Sequence, residues 1–355
     1  MMSAARKARV LVVDDSAIVR KLLSDAIRSE PDMEVVGGAS DPYMARDLIV
    51  QLAPDVLTRD IEMPRMDGLT FLRKLMAHRP MPVIVVSSLT QAGSSASIEA
   101  LRLGAIDVIP KPGGPYSVPQ VADRLKQRIR ALRTSGYRVA RPDALATQRP
   151  APAVVPARRA HGLIAIGAST GGTQAIEALL TRLPADVPPI VIVQHMPANF
   201  TRAFAERLDG ICPMSVREAA GGELLERGTA YLAPGDFHLV VERFGVQLRT
   251  AVKQGPPVHH QRPAVDVLFH SIARLKGVPV VALLLTGMGA DGADGMVALR
   301  QTGAETIAED ERSCVVFGMP KEAIARGGAA HVATLLRMPP LIFECFDRLS
   351  ARRVA

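Results

Sequence analysis

Gly162-Leu163-Ile164-Ala165-Ile166-Gly167-Ala168-Ser169-Thr170-Gly171-Gly172 decides the fold of the C-terminal half. Gly162 to Ile166 is short and apolar, which predicts a buried strand. Thr173 to Leu180 follows with Ile176, Leu179 and Leu180 at helical spacing. Ser169 thus falls on a tight strand-to-helix turn between glycines, the G-x-S-x-G setting of a nucleophile. Glycine permits the strained turn, and the helix start offers N–H groups to an oxyanion. The same residues also suit a plain loop with Ser169 as helix cap, or a phosphate cradle.

Two further apolar runs lie downstream. Pro189 to Val193 ends in Gln194-His195-Met196-Pro197, and Pro279 to Leu285 ends in Thr286-Gly287-Met288-Gly289-Ala290-Asp291-Gly292. Ser169, His195 and Asp291 therefore each follow the carboxyl end of a buried strand. A parallel sheet gathers such ends at one edge, where a serine could meet a base and the carboxylate that orients it. His259-His260 in a Pro-rich loop, His238 within a strand and His331 in a late loop compete for the role of base. Asp294 and Asp310 compete with Asp291, whose Gly-rich loop also suits Ca²⁺ or phosphate. Residues 230–241 and 246–249 read as short antiparallel strands turning at Phe244-Gly245.

The N-terminal half alternates strand and helix strictly from Arg9-Val10-Leu11-Val12-Val13 to a final amphipathic helix over 118–133. The fold class is therefore α/β, with two doubly wound parallel-sheet domains, the first flavodoxin-like and the second carrying the antiparallel hairpin. The first sheet's strand ends carry Asp14, Asp15, Asp60, Ser87 and Lys111. Clustered carboxylates repel one another and invite a hard divalent cation, and a lysine beside them suits a phosphoryl group. One such aspartate would read as a helix cap, but this many at one edge do not.

Domain boundaries are expected at 7–130 and 161–353, joined by a flexible Pro/Ala/Arg-rich tether over 131–160. The 355 residues carry a net charge of +8, with basic residues crowding the tether. Trp is absent and aromatics make up 4%, so base-stacking surfaces are not expected. A helix-turn-helix with a basic recognition helix is not evident after residue 161, which disfavours a DNA-binding output. Cys212, Cys314 and Cys345 fit no metal pattern and suit buried thiols in a reducing cytoplasm. Met1 to Arg9 has no secretory h-region and no run approaches a membrane span, so a cytoplasmic protein is expected.

The acidic strand-end set resembles the receiver domains of two-component response regulators. That resemblance implies Asp60 as phospho-acceptor, and Mg²⁺ held by Asp15 and Asp60 with help from Asp14 and the Glu62 carbonyl. It further implies Ser87 and Lys111 as sensors of the phosphoryl oxygens. Arg59 before the acceptor, and Val108 where the family often has an aromatic switch, depart from the pattern. Gly167 to Gly172, Gln194 to Pro197, Tyr231-Leu232-Ala233-Pro234-Gly235 and Leu285 to Gly295 together resemble the protein-glutamate methylesterases of bacterial chemotaxis. This resemblance covers nearly the whole chain. It implies a Ser169–His195–Asp291 triad with backbone N–H groups near Thr170 and Met288 as oxyanion donors. It also implies hydrolysis of receptor glutamyl methyl esters to methanol and glutamate, deamidation of receptor glutamines, and no cofactor for that reaction. The implied partners are methyl-accepting chemotaxis receptors and a histidine kinase, whose phosphorylation of the receiver relieves a block on the active site. Neither nucleic acid nor membrane insertion is expected.

Overall fold

The structure, a computed structural model, describes residues 6–63, 68–88, 90–111, 117–134 and 160–354. The chain divides into two compact units, Met1–Gln148 and Arg149–Ala355.

The first unit runs β1 (Ala8–Val13), α1 (Ala17–Arg28), β2 (Met33–Ala39), α2 (Pro42–Leu52), β3 (Val56–Arg59), α3 (Gly68–His78), β4 (Val83–Ser87), α4 (Gln91–Arg102), β5 (Asp107–Pro110) and α5 (Val118–Thr134). Its sheet order is β2-β1-β3-β4-β5, every pair parallel. The local causes are legible. Ser16 caps α1 by accepting the Val19 N–H. Asp41 caps α2 by accepting the Tyr43 and Met44 N–H groups, with Pro42 in the first turn. Helix α5 continues past residue 130 because Ala131 and Leu132 extend its buried face. The start of the expected tether is therefore helical, and 135–159 lie outside the described residues.

The second unit runs β6 (Leu163–Ala168), α6 (Gly172–Leu180), β7 (Ile190–Gln194), α7 (Phe200–Asp209), β8 (Ser215–Glu218), β9 (Thr229–Leu232), β10 (His238–Phe244), β11 (Gln247–Lys253), α8 (Val265–Ala273), β12 (Val280–Leu284), α9 (Ala293–Gln301), β13 (Glu305–Glu309), α10 (Met319–Ala325), β14 (His331–Ala333) and α11 (Met338–Val354). Seven parallel strands form one sheet in the order β14-β13-β12-β6-β7-β9-β8. β6 lies between β12 and β7, and all three strands are buried along their length. Buried parallel strands read as unbroken apolar runs for this reason.

Three expectations change. β9, with Tyr231, is not antiparallel but pairs in parallel with β7 and β8. It is buried throughout, and the Tyr231 hydroxyl donates to the Leu224 carbonyl at 2.7 Å. The hairpin consists instead of β10 and β11, closed by the Phe244–Gln247 pair around Gly245-Val246, with Gly245 at φ +60. His331 lies on the short strand β14 rather than in a loop, and β8 was not anticipated. Both sit at sheet edges, where exposure breaks the apolar signal.

Helices α8 and α9 pack Leu268, Phe269, Met296 and Leu299 into the core against the sheet. Gly295 permits the close crossing, since a Cβ there would stand 2.5 Å from Phe269 Cβ. Leu268 is fully buried, so Leu268→Ala should cost about 2–5 kcal/mol. A denaturant transition of the second unit at an unchanged midpoint would contradict this packing.

Candidate active site

The turn after β6 is fastened on every side. The Ser169 N–H donates to the Thr286 carbonyl at 3.0 Å, and the Gly172 N–H to the Ser169 carbonyl at 2.7 Å. Gly171 holds φ +78 at the start of α6, where a Cβ would stand 2.4 Å from Val315 Cβ. Gln194, the last residue of β7, donates through Nε2 to the carbonyls of Ser169 at 2.8 Å and His195 at 3.3 Å. It thereby ties the two strand ends together.

His195 follows, its N–H on the Ala168 carbonyl at 3.1 Å. Its Nε2 hydrogen-bonds Asp291 Oδ2 at 2.7 Å, with both side chains buried. Asp291 Oδ2 also accepts the Val265 N–H at 2.7 Å, and Oδ1 the Asp266 N–H at 2.9 Å. These are the first N–H groups of α8, so the carboxylate rests on the positive end of a helix. Burial alone raises an aspartic acid, but His195 and these two N–H groups outweigh it and hold Asp291 below the usual range.

Ser169 Oγ and His195 Nδ1 are both buried, and neither has a hydrogen-bond partner. With Nε2 committed to Asp291, Nδ1 is the ring nitrogen left without a partner. The other candidates are engaged elsewhere. His259 pairs with Asp266 at 2.9 Å, His238 Nε2 with the Pro256 carbonyl at 3.0 Å, and His331 with Glu305 at 2.6 Å. His260 sits in the same loop as His259 at φ +61. Asp294 pairs with Arg326 at 2.6 Å and Asp310 with Arg312 at 2.8 Å.

Gly287 packs on the Ser169 turn, since a Cβ there would lie 2.7 Å from Ser169 Cβ. The neighbouring Met288 N–H has no hydrogen-bond acceptor among the described residues. Thr170 is buried, and its carbonyl accepts the Thr286 hydroxyl at 2.9 Å. Behind Thr286 stands fully buried Glu309, which accepts the Thr286 N–H at 2.7 Å and the Ser313 hydroxyl at 2.9 Å. Burial pushes Glu309 up to about 7. Gln194, Thr286 and Glu309 carry no sequence signal of their own for these contacts. Gln194 and Thr286 border residues already singled out, whereas Glu309 becomes visible only once β13 pairs with β12.

The first unit holds its own polar site. Carboxylate oxygens of Asp14, Asp15 and Asp60 lie within 4.8 Å of one another. Lys111 Nζ reaches Asp60 Oδ2 at 2.7 Å and Asp14 Oδ2 at 3.6 Å. Asp60 Oδ1 accepts the Glu62 N–H at 3.1 Å, and Asp14 Oδ1 the Ser16 N–H at 2.9 Å. The Glu62 side chain accepts the Ser88 hydroxyl at 2.9 Å. Ser87 is buried at the end of β4, its carbonyl accepting the Lys111 N–H at 2.8 Å. Arg20 donates to the carbonyls of Asp14 at 2.7 Å and Asp15 at 2.9 Å, fixing the acidic turn.

Burial pushes Asp14 up to about 6 and raises Asp60. Lys111 is lowered by burial, but its contact with Asp60 prevails and raises it. Arg59 is buried at 1% exposure, its guanidinium 4.5 Å over the Phe71 ring and its Nε on the Asp60 carbonyl at 3.0 Å. That is how a charged residue ends a buried strand. Val108 is buried in β5.

The fold and these two sites define a receiver-type unit joined to an α/β unit with serine, histidine and aspartate at its sheet edge. Residues 10–123 match the response regulator receiver domain family, and residues 164–342 match the CheB methylesterase family. A protein-glutamate methylesterase/protein-glutamine glutaminase of Syntrophus aciditrophicus is 52% identical, with 93% of this chain and 96% of that protein covered. One from Ralstonia nicotianae is 48% identical, with 99% and 98% covered. The crystal structure of the Thermotoga maritima CheB methylesterase catalytic domain matches with TM-score 0.51 and 38% identity, covering 52% of this chain and 98% of that domain. The chain belongs to the CheB methylesterase family and carries an N-terminal receiver domain. No helix among the described residues is long and apolar enough to cross a membrane.

The acidic site yields a pH prediction. A folded-state value of about 6 for Asp14 lies above the ordinary value of 3.8, so keeping this group ionised costs stability above pH 6. The cost disappears as pH falls through 6 towards 4. Asp14→Asn keeps the acceptor for the Ser16 N–H and should raise the denaturant midpoint of the metal-free chain at pH 7.5. That gain should shrink towards pH 5, and a gain equal at both values would contradict the burial argument.

Proposed function

We propose that the chain is a protein-glutamate methylesterase and protein-glutamine glutaminase of bacterial chemotaxis, working in the cytoplasm on methyl-accepting receptors under control of its receiver. The observation that carries the reading is the buried His195–Asp291 pair, which leaves His195 Nδ1 and Ser169 Oγ as two buried, unpartnered groups at one sheet edge.

In this reading Ser169 Oγ attacks the carbonyl carbon of a glutamyl methyl ester while His195 Nδ1 takes its proton. Asp291 holds the imidazole through Nε2 and stabilises the imidazolium that forms. The tetrahedral oxyanion meets the N–H groups of Met288 and Thr170. Collapse breaks the bond to the methoxy oxygen, which leaves as methanol with the proton from His195. Water then attacks the acyl-serine with His195 as base, releasing glutamate and restoring Ser169. With a glutamine side chain the leaving group is ammonia.

Asp60 is the phospho-acceptor, supplied by a histidine kinase, and Ser87 and Lys111 hold the phosphoryl oxygens. A hard divalent ion suits the receiver: Asp14 Oδ2 is buried without a hydrogen-bond donor, among three clustered carboxylates. Asp14, Asp15, Asp60 and the Glu62 carbonyl would hold Mg²⁺, whose charge offsets that of an incoming phosphoryl group. Lys111, now on Asp60, would turn to the phosphoryl oxygens.

Ser169→Ala should lower methanol release from methylated receptor membranes by about 10⁶ in kcat. Turnover near wild type would remove Ser169 from the reaction. In the same assay a small phosphodonor with Mg²⁺ should raise the rate of the full chain by roughly 5–150-fold. Asp60→Asn should not respond, and the 149–355 fragment should already be fast. A fragment no faster than the unphosphorylated full chain would contradict restraint by the receiver.

A further inference from the structure

Behind Asp291 stands a second histidine–aspartate pair that the reaction scheme does not use. Asp266 is buried at 4% exposure, and its Oδ2 hydrogen-bonds His259 Nε2 at 2.9 Å. Its Oδ1 accepts the Gly295 N–H at 2.7 Å, and its own N–H donates to Asp291 Oδ1 at 2.9 Å. One residue therefore touches Asp291 through its backbone while placing a carboxylate next to it. Oxygens of Asp266 and Asp291 and a ring nitrogen of His259 lie within 4.8 Å of one another. We propose that His259 and Asp266 form a charge-setting pair which, acting through Asp291, fixes the basicity of His195. The inference rests on the reading of Asp291 as the group that orients His195.

The hydrogen bonds favour a proton-linked pair over a cation site. Each oxygen of both carboxylates already receives a donor: Val265 N–H and His195 on Asp291 Oδ2, Asp266 N–H on Asp291 Oδ1, Gly295 N–H on Asp266 Oδ1, and His259 on Asp266 Oδ2. Asp266 lies in the first turn of α8 and its Oδ1 reaches into the first turn of α9, so the carboxylate joins two helix starts. His259 is the solvent end of the set, its side chain 39% exposed. The set therefore opens to solvent at His259, while Asp266 and Asp291 stay buried.

The sign follows from Coulomb's law. An ionised Asp266 beside Asp291 favours a positive His195, and a protonated His259 cancels part of that field. Other charged groups around His259 are accounted for. His270, Arg274 and Asp294 line the same cavity, and Asp294 is paired with Arg326 at 2.6 Å. His260 is adjacent in sequence, and β10 presents Val240 to the cavity. Glu309 faces Thr286 and Ser313, and the substitutions below leave it unchanged. Among the described residues, Asp291 is the one ionisable side chain hydrogen-bonded to His195. Asp266 and His259 are thus positioning residues, acting on the reaction through Asp291.

The test is a proton titration of His195 in the full-length chain, followed by NMR with ¹³Cε1-labelled histidine and assigned with His195→Gln. Asp266→Asn keeps an oxygen for the Gly295 N–H and removes the charge. It should lower the His195 midpoint by about 0.5 unit, less than the 1–3 units of a charge in direct contact, or about threefold in basicity. His259→Gln keeps a donor for Asp266, removes the cation and should shift the midpoint upward. Asp291→Asn should lower it most. A loss of packing alone would not move the midpoint in opposite directions. If Asp291→Asn lowers the midpoint while Asp266→Asn and His259→Gln leave it at the wild-type value, the charge-setting pair is refuted and the orienting role of Asp291 stands. If Asp291→Asn leaves it unmoved, that role falls and the pair with it. Should Asp266→Asn fail to fold, His259→Gln decides alone: an upward shift supports the pair and an unmoved midpoint overturns it.

Discussion

The hydrogen bond of 2.7 Å between His195 Nε2 and buried Asp291 is the contact on which the catalytic unit depends. It requires a carboxylate out of water, which is costly unless donors and opposite partial charge surround it. The chain meets that requirement with the first two N–H groups of α8. Those groups are in place because α8 packs Leu268 and Phe269 into the core against the sheet. Core packing, helix position and imidazole orientation are therefore one constraint.

The sheet supplies the rest. Parallel pairing of β6 with β7 and β12 brings three apolar strands to a common edge, and each opens into a loop bearing one of Ser169, His195 and Asp291. Thr286 and Gln194 then fasten the loops by accepting or donating at main-chain groups of the Ser169 turn. The receiver solves a different problem with the same geometry: its strand ends collect carboxylates, with Lys111 on the Asp60 carboxylate and Arg20 on the main-chain carbonyls of Asp14 and Asp15. In one unit the edge gathers a serine, a histidine and an aspartate, and in the other three aspartates and a lysine.

Much of this was legible in the sequence, because buried parallel strands are unbroken apolar runs and their carboxyl ends hold the polar residues. β6, β7 and β12 and the loops carrying Ser169, His195 and Asp291 stand out for that reason. β9 was misassigned since Tyr231 and its neighbours give the same signal in either strand direction. β8 and β14 were obscured because edge strands are short and half exposed. The unpartnered ring nitrogen of His195, the role of Glu309 behind Thr286 and the Asp266–His259 pair depend on contacts between distant segments, which no local pattern encodes. Arg59 is the opposite case: its oddity was plain in the sequence, and its resolution over Phe71 was not.

The most direct test is site-mapped covalent labelling by a fluorophosphonate, followed by peptide mass spectrometry, on wild type and His195→Gln chains. The account predicts modification of wild type at Ser169 and a large loss of labelling when His195 is replaced. Labelling at another residue, or labelling of Ser169 that is indifferent to His195, would contradict it.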